Sequence, residues 1–340
     1  MKTALILLNL GGPDALPAVR PFLFNLFYDP AIIRLPKPLR WLVATLISRR
    51  RAPVAEKIYE HMGGRSPILP NTEAQAVALE AALGSEFKCF IAMRYWHPRA
   101  EAQVKAVKAW APDRVLLLPL YPQYSTTTTA SSVAEWQREA ARVGLTAPTQ
   151  TLCCYPANRG FVRAVANGVR AGLAQFEGAG PRVLFSAHGL PKKIVEAGDP
   201  YQRQVEESVA AVKAELAMPA LDTVVCYQSR VGPLEWLGPS TEAEVVRAGT
   251  DGKPLLLVPI AFVSEHSETL VELDIEYRHL ATAKGVPAYV RVPTVDTDAD
   301  FIAGLADEVR HVLAGDAPVM AGRDQVCCAP DRTGCPCARG

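Results

Sequence analysis

Apolar runs the length of buried strands alternate with helix-length amphipathic segments along almost all of this 340-residue chain. Few folds accept that pattern. A strand covered on both faces reads as a continuous hydrophobic run, and parallel neighbours need a long crossover, so the alternation predicts parallel sheets flanked by helices. Strand-like runs occupy 4–8, 87–93, 114–118, 183–185, 223–227 and 255–258. Helices are expected over 71–83, 99–109, 130–143, 159–176, 199–216, 266–283 and 298–313. The runs also pair in order. Ile6-Leu-Leu-Asn-Leu-Gly-Gly-Pro13 parallels Val183-Leu-Phe-Ser-Ala-His-Gly-Leu-Pro191. Cys89-Phe-Ile-Ala-Met-Arg94 parallels Val225-Cys-Tyr-Gln-Ser-Arg230, and Leu116-Leu-Leu-Pro-Leu120 parallels Leu256-Leu-Val-Pro-Ile260. Ordered self-similarity of this kind points to one α/β plan used twice, with a cleft between the halves lined by strand-end loops. The expected organisation is a domain over 1–150, a similar one over 151–313 and a Cys-rich tail over 314–340.

Hydrophobic residues make up 49% of the chain, enough for a large core. No stretch approaches the ~20 apolar residues of a membrane span. The opening Met-Lys-Thr-Ala-Leu-Ile-Leu-Leu runs into Gly11-Gly12-Pro13 without a small-residue cleavage site, so it reads as a first strand rather than a signal peptide. A cytoplasmic protein is expected. A net charge of +1 speaks against a nucleic-acid partner, which needs a sustained basic surface. Segment 20–57 differs from the rest: it mixes Phe22, Phe24, Phe27, Trp41 and Leu46 with Arg34, Lys37, Arg40, Arg49, Arg50 and Arg51. It suits peripheral contact with an anionic inner membrane face, a cover over an apolar ligand, or core.

Two constellations carry chemistry. His188 stands where the run Val183-Leu-Phe-Ser-Ala-His-Gly-Leu-Pro191 leaves its strand, the end at which open α/β sheets bind ligands. An imidazole there is a neutral metal ligand, a proton acceptor near pH 7, or a ring bonded to nearby backbone. The second is the expected helix after Leu255-Leu-Leu-Val258, with Ser264 or Ser267 as N-cap. Glu268, Glu272 and Glu276 recur there every four residues, and Glu265 lies one turn earlier. Like charges so spaced repel by a few tenths of a kcal/mol per pair. A solvated face near a helix start explains Glu265 and Glu268 better than Glu276, two turns further in. The functional reading is a ladder of oxygen ligands for divalent cations or protons. The duplication puts His188 and Glu268 on loops that open on one cleft, which makes a metal-delivery site with a proton acceptor.

On these residues the chain resembles the ferrochelatases across essentially its full length. The run 183–191 continuing to Gly198-Asp-Pro-Tyr201 is similar to the family signature. Further family-like segments are Leu8-Asn-Leu-Gly-Gly-Pro13, Met93-Arg-Tyr-Trp-His-Pro98 and Tyr121-Pro-Gln-Tyr-Ser125. Tyr227-Gln-Ser-Arg-Val-Gly-Pro233, with Trp236-Leu-Gly-Pro239, and Ser264 through Tyr277 complete the set. The resemblance implies two Rossmann-like, chelatase-type domains around a porphyrin cleft. It implies insertion of Fe2+, a substrate, into protoporphyrin IX, the last step of haem synthesis. By position, His188 and Glu268 are the metal-site and proton-abstracting pair, and Glu272 and Glu276 extend the acidic path. Arg94, Tyr95 and Tyr121 line the cleft, Leu10 approaches the macrocycle, and segment 20–57 forms the lip. Alternatives within the class are a coproporphyrin ferrochelatase or a cobalt chelatase. A porphyrin or haem carrier would need no cation path, and a zinc hydrolase would want two further ligands at defined spacing.

Cys89 and Cys226 read as small buried hydrophobes, whereas Cys327, Cys328, Cys335 and Cys337 crowd the tail. Their spacing contains no pair of CxxC knuckles, so zinc is not specifically indicated. Some ferrochelatases resemble this chain in carrying a C-terminal 2Fe-2S cluster. In the animal pattern one ligand comes from the loop after Tyr-Pro-Gln-Tyr-Ser, where this chain has Thr126. Cys153 or Cys154 is the inferred substitute; the ligand set is Cys154, Cys327, Cys335 and Cys337, with zinc or free thiols as alternatives.

Overall fold

Two parallel sheets carry the strands in a computed structural model that describes residues 1–177, 180–230, 232–325, 328 and 332–338. The strands are β1 (Thr3–Asn9), β2 (Phe87–Met93), β3 (Arg114–Pro119), β4 (Thr149–Leu152), β5 (Arg182–His188), β6 (Thr223–Gln228), β7 (Leu255–Pro259), β8 (Tyr289–Arg291) and β9 (Val319–Met320). The first sheet is ordered β2-β1-β3-β4-β9 and the second β6-β5-β7-β8. The second order repeats the first four strands of the other sheet, and the matched runs of the sequence occupy matched places in it. The central strands explain the pattern: all of β1 is buried, and all of β5 except His188. One continuous core takes Leu5 and Leu118 from the first half and Val183, Phe185 and Leu256 from the second.

Three strands escape the sequence reading. β4 and β8 are short and partly exposed, so they lack the apolar run that marks β1. β9 belongs to the stretch 314–340, which the sequence sets apart as a tail outside both domains. It instead pairs in parallel with β4, Thr151 beside Val319 and Leu152 beside Met320. The tail thus returns to the first sheet. The helix Ala299–Ala314 packs on the helix Arg159–Leu173 and also reaches the first half, against the helix Ile68–Leu83 and β4. A Cβ at Gly160 would collide with Asp300 O and with Gly304, so only glycine permits that close crossing. Asn158 ties the two together, capping Phe161 N and donating to Glu308 Oε1 at 2.8 Å.

Segment 20–57 resolves into the helix Val19–Phe27 and most of the helix Lys37–Glu60. Val19, Phe22, Leu23, Ala52 and Tyr59 pack inward with Tyr95. Ile32, Leu39, Trp41, Leu42, Leu46 and Val54 remain exposed. One segment is therefore core on one side and bare apolar surface on the other. Among the described residues, no helix is long and apolar enough to cross a membrane.

Candidate active site

β5 delivers His188 to the cleft because Gly189 lets the chain turn tightly against β6. Gly189 N donates to Gln228 O at 2.8 Å, and a Cβ there would lie 2.7 Å from that oxygen. The His188 ring then meets the acidic helix, its Nδ1 2.8 Å from Glu268 Oε2. That helix differs from the expectation: over Glu268–Glu276 it is a π-helix, followed by a short α-helix, Tyr277–Ala283. Wide π turns are rare and favour functional sites. Neither serine caps it. Ser264 donates instead to Gln75 Oε1 at 3.2 Å, and Gln75 bridges to Val263 O and Asp296 O.

Ser229 joins the first two rungs of the ladder. Its hydroxyl lies 2.9 Å from Glu268 Oε2 and 2.5 Å from Glu272 Oε2, and its N–H donates to Glu272 Oε1 at 2.8 Å. It does so from a left-handed backbone, φ +58°, a strained conformation for a serine and one that clusters at functional sites. Tyr277 also donates to Glu272, at 2.9 Å. Glu276 is exposed, at the solvent end of the row. Glu265 leaves the ladder, paired with Arg291 at 2.8 Å.

The electrostatics follow from this geometry. Burial works against a charged imidazole, but the charge and hydrogen bond of Glu268, with Glu272 behind it, raise His188 above its ordinary value. Burial likewise opposes ionisation of Glu268. There the charge and hydrogen bond of His188, aided by His266 and Ser229, prevail and hold its carboxyl at about 2. Burial and the neighbouring Glu268 charge raise Glu272. His188 therefore holds a proton more readily than a free imidazole and Glu268 less readily than a free carboxyl, while Glu272 beside them holds one more readily.

Leu10, Phe22, Leu23, Leu26, Phe27, Ile58 and Ile68 line a cavity of about 190 Å3 beside this pair, with Arg51, Tyr59, His266 and Glu268 among its polar members. Arg51 also covers the Phe27 ring at 5.8 Å. A larger, shallow hollow of about 550 Å3 near Glu80, Lys88 and Trp110 collects none of these groups. The sequence reading missed Ser229, His266 and Tyr59, and named Arg51 only among the basic residues of segment 20–57. Ser229 and His266 stand within motifs it had marked, but nothing local distinguishes them from their neighbours.

Leu10 is on the lining of this cavity, and Arg94, Tyr95 and Tyr121 are not. Arg94 donates to Asp29 Oδ2 at 2.7 Å, Ser131 Oγ at 2.7 Å and Glu135 Oε2 at 3.1 Å. Tyr95 donates to the same Asp29 oxygen at 2.8 Å, and the Tyr121 hydroxyl is fully buried. The physical reason is Asp29, 2% exposed in its side chain, which draws the cation inward. Arg94→Leu is expected to lower stability by about 3–5 kcal/mol by stranding these carboxylates. Chemical denaturation measures it; an unchanged midpoint would show the network to be dispensable.

A second cluster is made of thiols. Cys153 Sγ lies 3.2 Å from Cys154 Sγ and 3.0 Å from Cys337 Sγ. Cys335 shares hydrogen bonds with Cys153 and Cys328. Cys327 lies outside the described residues, and its neighbour Cys328 stands at the cluster. Hydrogen bonds from Cys153 and Cys328 bring Cys335 down to about 7, while thiol neighbours and burial push the other two up. Among the described residues, no three donors are spaced to enclose a single metal ion. Thr126 turns away, its N–H and hydroxyl both bound to Asp199 Oδ2. Cys226 is buried as expected, whereas Cys89 is only partly so.

Known proteins resemble this chain in sequence and in fold. The ferrochelatase family profile matches residues 2–313. A ferrochelatase of Caulobacter vibrioides is 51% identical over 348 aligned positions, covering 100% of this chain and 98% of its own. One from Wolbachia of Drosophila simulans is 55% identical, over 90% of this chain and 98% of its own. Among solved structures, SirB from Bacillus subtilis with Fe3+ superposes with a TM-score of 0.58 at 14% identity, over 92% of this chain and 96% of its own. CbiX, the terminal enzyme of siroheme biosynthesis in denitrifying bacteria, gives 0.51 at 16% identity, over 91% and 99%. At such identities the solved structures speak for the chelatase fold alone, whereas the full-length sequence relatives and the profile settle the family. The chain belongs to the ferrochelatases.

Proposed function

We propose that this enzyme inserts Fe2+ into protoporphyrin IX, the last step of haem synthesis, with His188 and Glu268 as the pair that receives the ion and the pyrrole protons. The observation that carries the residue assignment is the 2.8 Å contact between His188 Nδ1 and Glu268 Oε2 beside an apolar cavity. Metallation removes two N–H protons from a flat ring whose lone pairs are poorly exposed. A site can assist by gripping the ring, accepting protons and replacing the ion's water. The apolar wall grips, an imidazole freed of its proton accepts, and the row from exposed Glu276 through Glu272 to Glu268 offers oxygen ligands in sequence. The cavity, about 190 Å3, is smaller than the roughly 300–1,000 Å3 of ligand pockets, so a bound ring would extend beyond it.

Arg51 is the single Lys or Arg on the cavity lining among the described residues. One cation suits a ring with two propionates better than coproporphyrin, which has four. Arg51→Leu is expected to raise KM for protoporphyrin by about tenfold, equivalent to roughly 1.4 kcal/mol, with little change for its dimethyl ester. Equal effects on both would remove Arg51 from this role. The function itself is tested by protoporphyrin fluorescence: its loss on adding Fe2+, faster than with coproporphyrin or Co2+, is required. Binding without turnover would instead identify a carrier.

Two finer readings complete the proposal. The exposed Trp41, Leu42 and Leu46, beside Arg49 and Arg50, suit a cytoplasmic enzyme resting on the inner membrane face. Cosedimentation with phosphatidylserine vesicles, weakened in Trp41→Ala/Leu46→Ala, supports it; no cosedimentation overturns it. The thiols suit a 2Fe-2S cluster: the donor set is soft, largely buried and outside the cleft, and one thiol is already brought down to about 7. Cys335, Cys337, Cys328 and one of Cys153 or Cys154 would hold it. A cluster there supplies redox sensitivity or a staple between the tail and the first sheet, and the chelation steps do not pass through it. Anaerobically purified protein without iron–sulfur absorbance and acid-labile sulfide overturns this.

A further inference from the structure

Gln204, one turn into the helix Tyr201–Leu216, is fully buried. Its Nε2 donates to two sulfurs, Cys154 Sγ and Cys328 Sγ, each at 3.4 Å, and its Oε1 accepts from Tyr124 N at 2.7 Å. A buried amide is costly unless its donors and acceptor are used, and here both hydrogens are directed at thiols from different parts of the chain. The structural alternative is plain filling, but a leucine would fill this space without needing partners. Tyr201 lies three residues earlier, on the same helical face, and its phenol meets the backbone of His188. The corner between them is locked: Asp199 Oδ1 accepts from Tyr201 N at 3.0 Å, and Oδ2 accepts from Ser125 Oγ at 3.0 Å and Thr126 N at 2.7 Å. The tail closes on this corner, Gly334 N donating to Gly198 O at 3.2 Å.

We propose that Gln204 is a positioning residue that joins the cysteine site to the His188 wall of the cleft, so that the state of each is felt at the other. The inference rests on the 2Fe-2S reading above. N–H donors to cluster sulfur favour the more negative, reduced state and so raise the reduction potential. Coupling between two sites is reciprocal, so a porphyrin seated against His188 shifts the same potential.

The test is a redox titration of the full-length, anaerobically purified protein, following the reduced cluster by electron paramagnetic resonance, with and without zinc protoporphyrin. Gln204→Leu, and Gln204→Glu, which keeps the acceptor for Tyr124 N, are expected to lower the reduced-to-oxidised ratio at fixed potential about tenfold, 59 mV for one electron. Zinc protoporphyrin is expected to shift the wild-type midpoint and to leave that of Gln204→Leu unmoved. Unchanged midpoints in variants that carry the cluster overturn the role of Gln204 alone. If a variant assembles no cluster, the wild type decides: no response to porphyrin overturns the coupling. Wild-type protein without a cluster overturns both readings.

Discussion

His188→Ala is expected to lower the rate of Fe2+ insertion by about 10³-fold or more while leaving porphyrin affinity within a few-fold of wild type. The split follows from where the side chain stands. The apolar wall that holds a ring is built from Leu10, Phe22, Leu23, Leu26 and Ile68, none of which depends on His188. The imidazole contributes a proton acceptor and an ion ligand, needed in the reaction and not in binding. Quenching of protoporphyrin fluorescence measures binding, and its consumption with Fe2+ measures turnover. Near-normal turnover would sink the assignment. Loss of binding as well would mean that the ring is a structural member of the cleft.

Glu268→Gln is expected to reduce turnover by about 10²-fold and also to move the pH profile in a stated direction. In the wild type, Glu268 raises His188 above its ordinary value of 6.5. Below that raised value the imidazolium can neither accept a proton nor meet a cation. The acidic limb of kcat/KM therefore lies above 6.5. The glutamine removes the charge that overcomes burial, so His188 falls and the limb moves to lower pH. An unmoved limb would show that another group sets it. Glu272, itself raised by the Glu268 charge, is the first candidate, since it loses the same neighbour.

Most of the fold was legible because its signals are local. β1, β5 and β7 are buried on both faces, and apolar runs announce them. β4, β8 and β9 carry two to four residues of mixed character and exist only because a neighbouring strand offers its edge. The π-helix was not legible. A four-residue spacing of Glu268, Glu272 and Glu276 aligns side chains tolerably on an α-helix or a π-helix, so the pattern cannot distinguish them. Arg94 marks a different limit. A family position places it by the cleft, but its direction is set by Asp29, 65 residues away in sequence, whose buried charge turns it inward.

What the sequence by itself determined is the α/β class, the repeated plan, the residue types able to handle a metal and protons, and the resemblance that named the chemistry. Each is carried by the order and spacing of residues along the chain. The tertiary structure decided which of those residues meet. His188 finds Glu268 across 80 residues, Ser229 finds both rungs of the ladder, and Cys153 finds Cys337 across 184. Such contacts are products of sheet order and loop closure, which bring distant segments together only after the core has formed. Spacing along a chain records periodicity, not proximity, so the tail's return to the first sheet and the place of Gln204 between thiols and cleft belong to the fold alone.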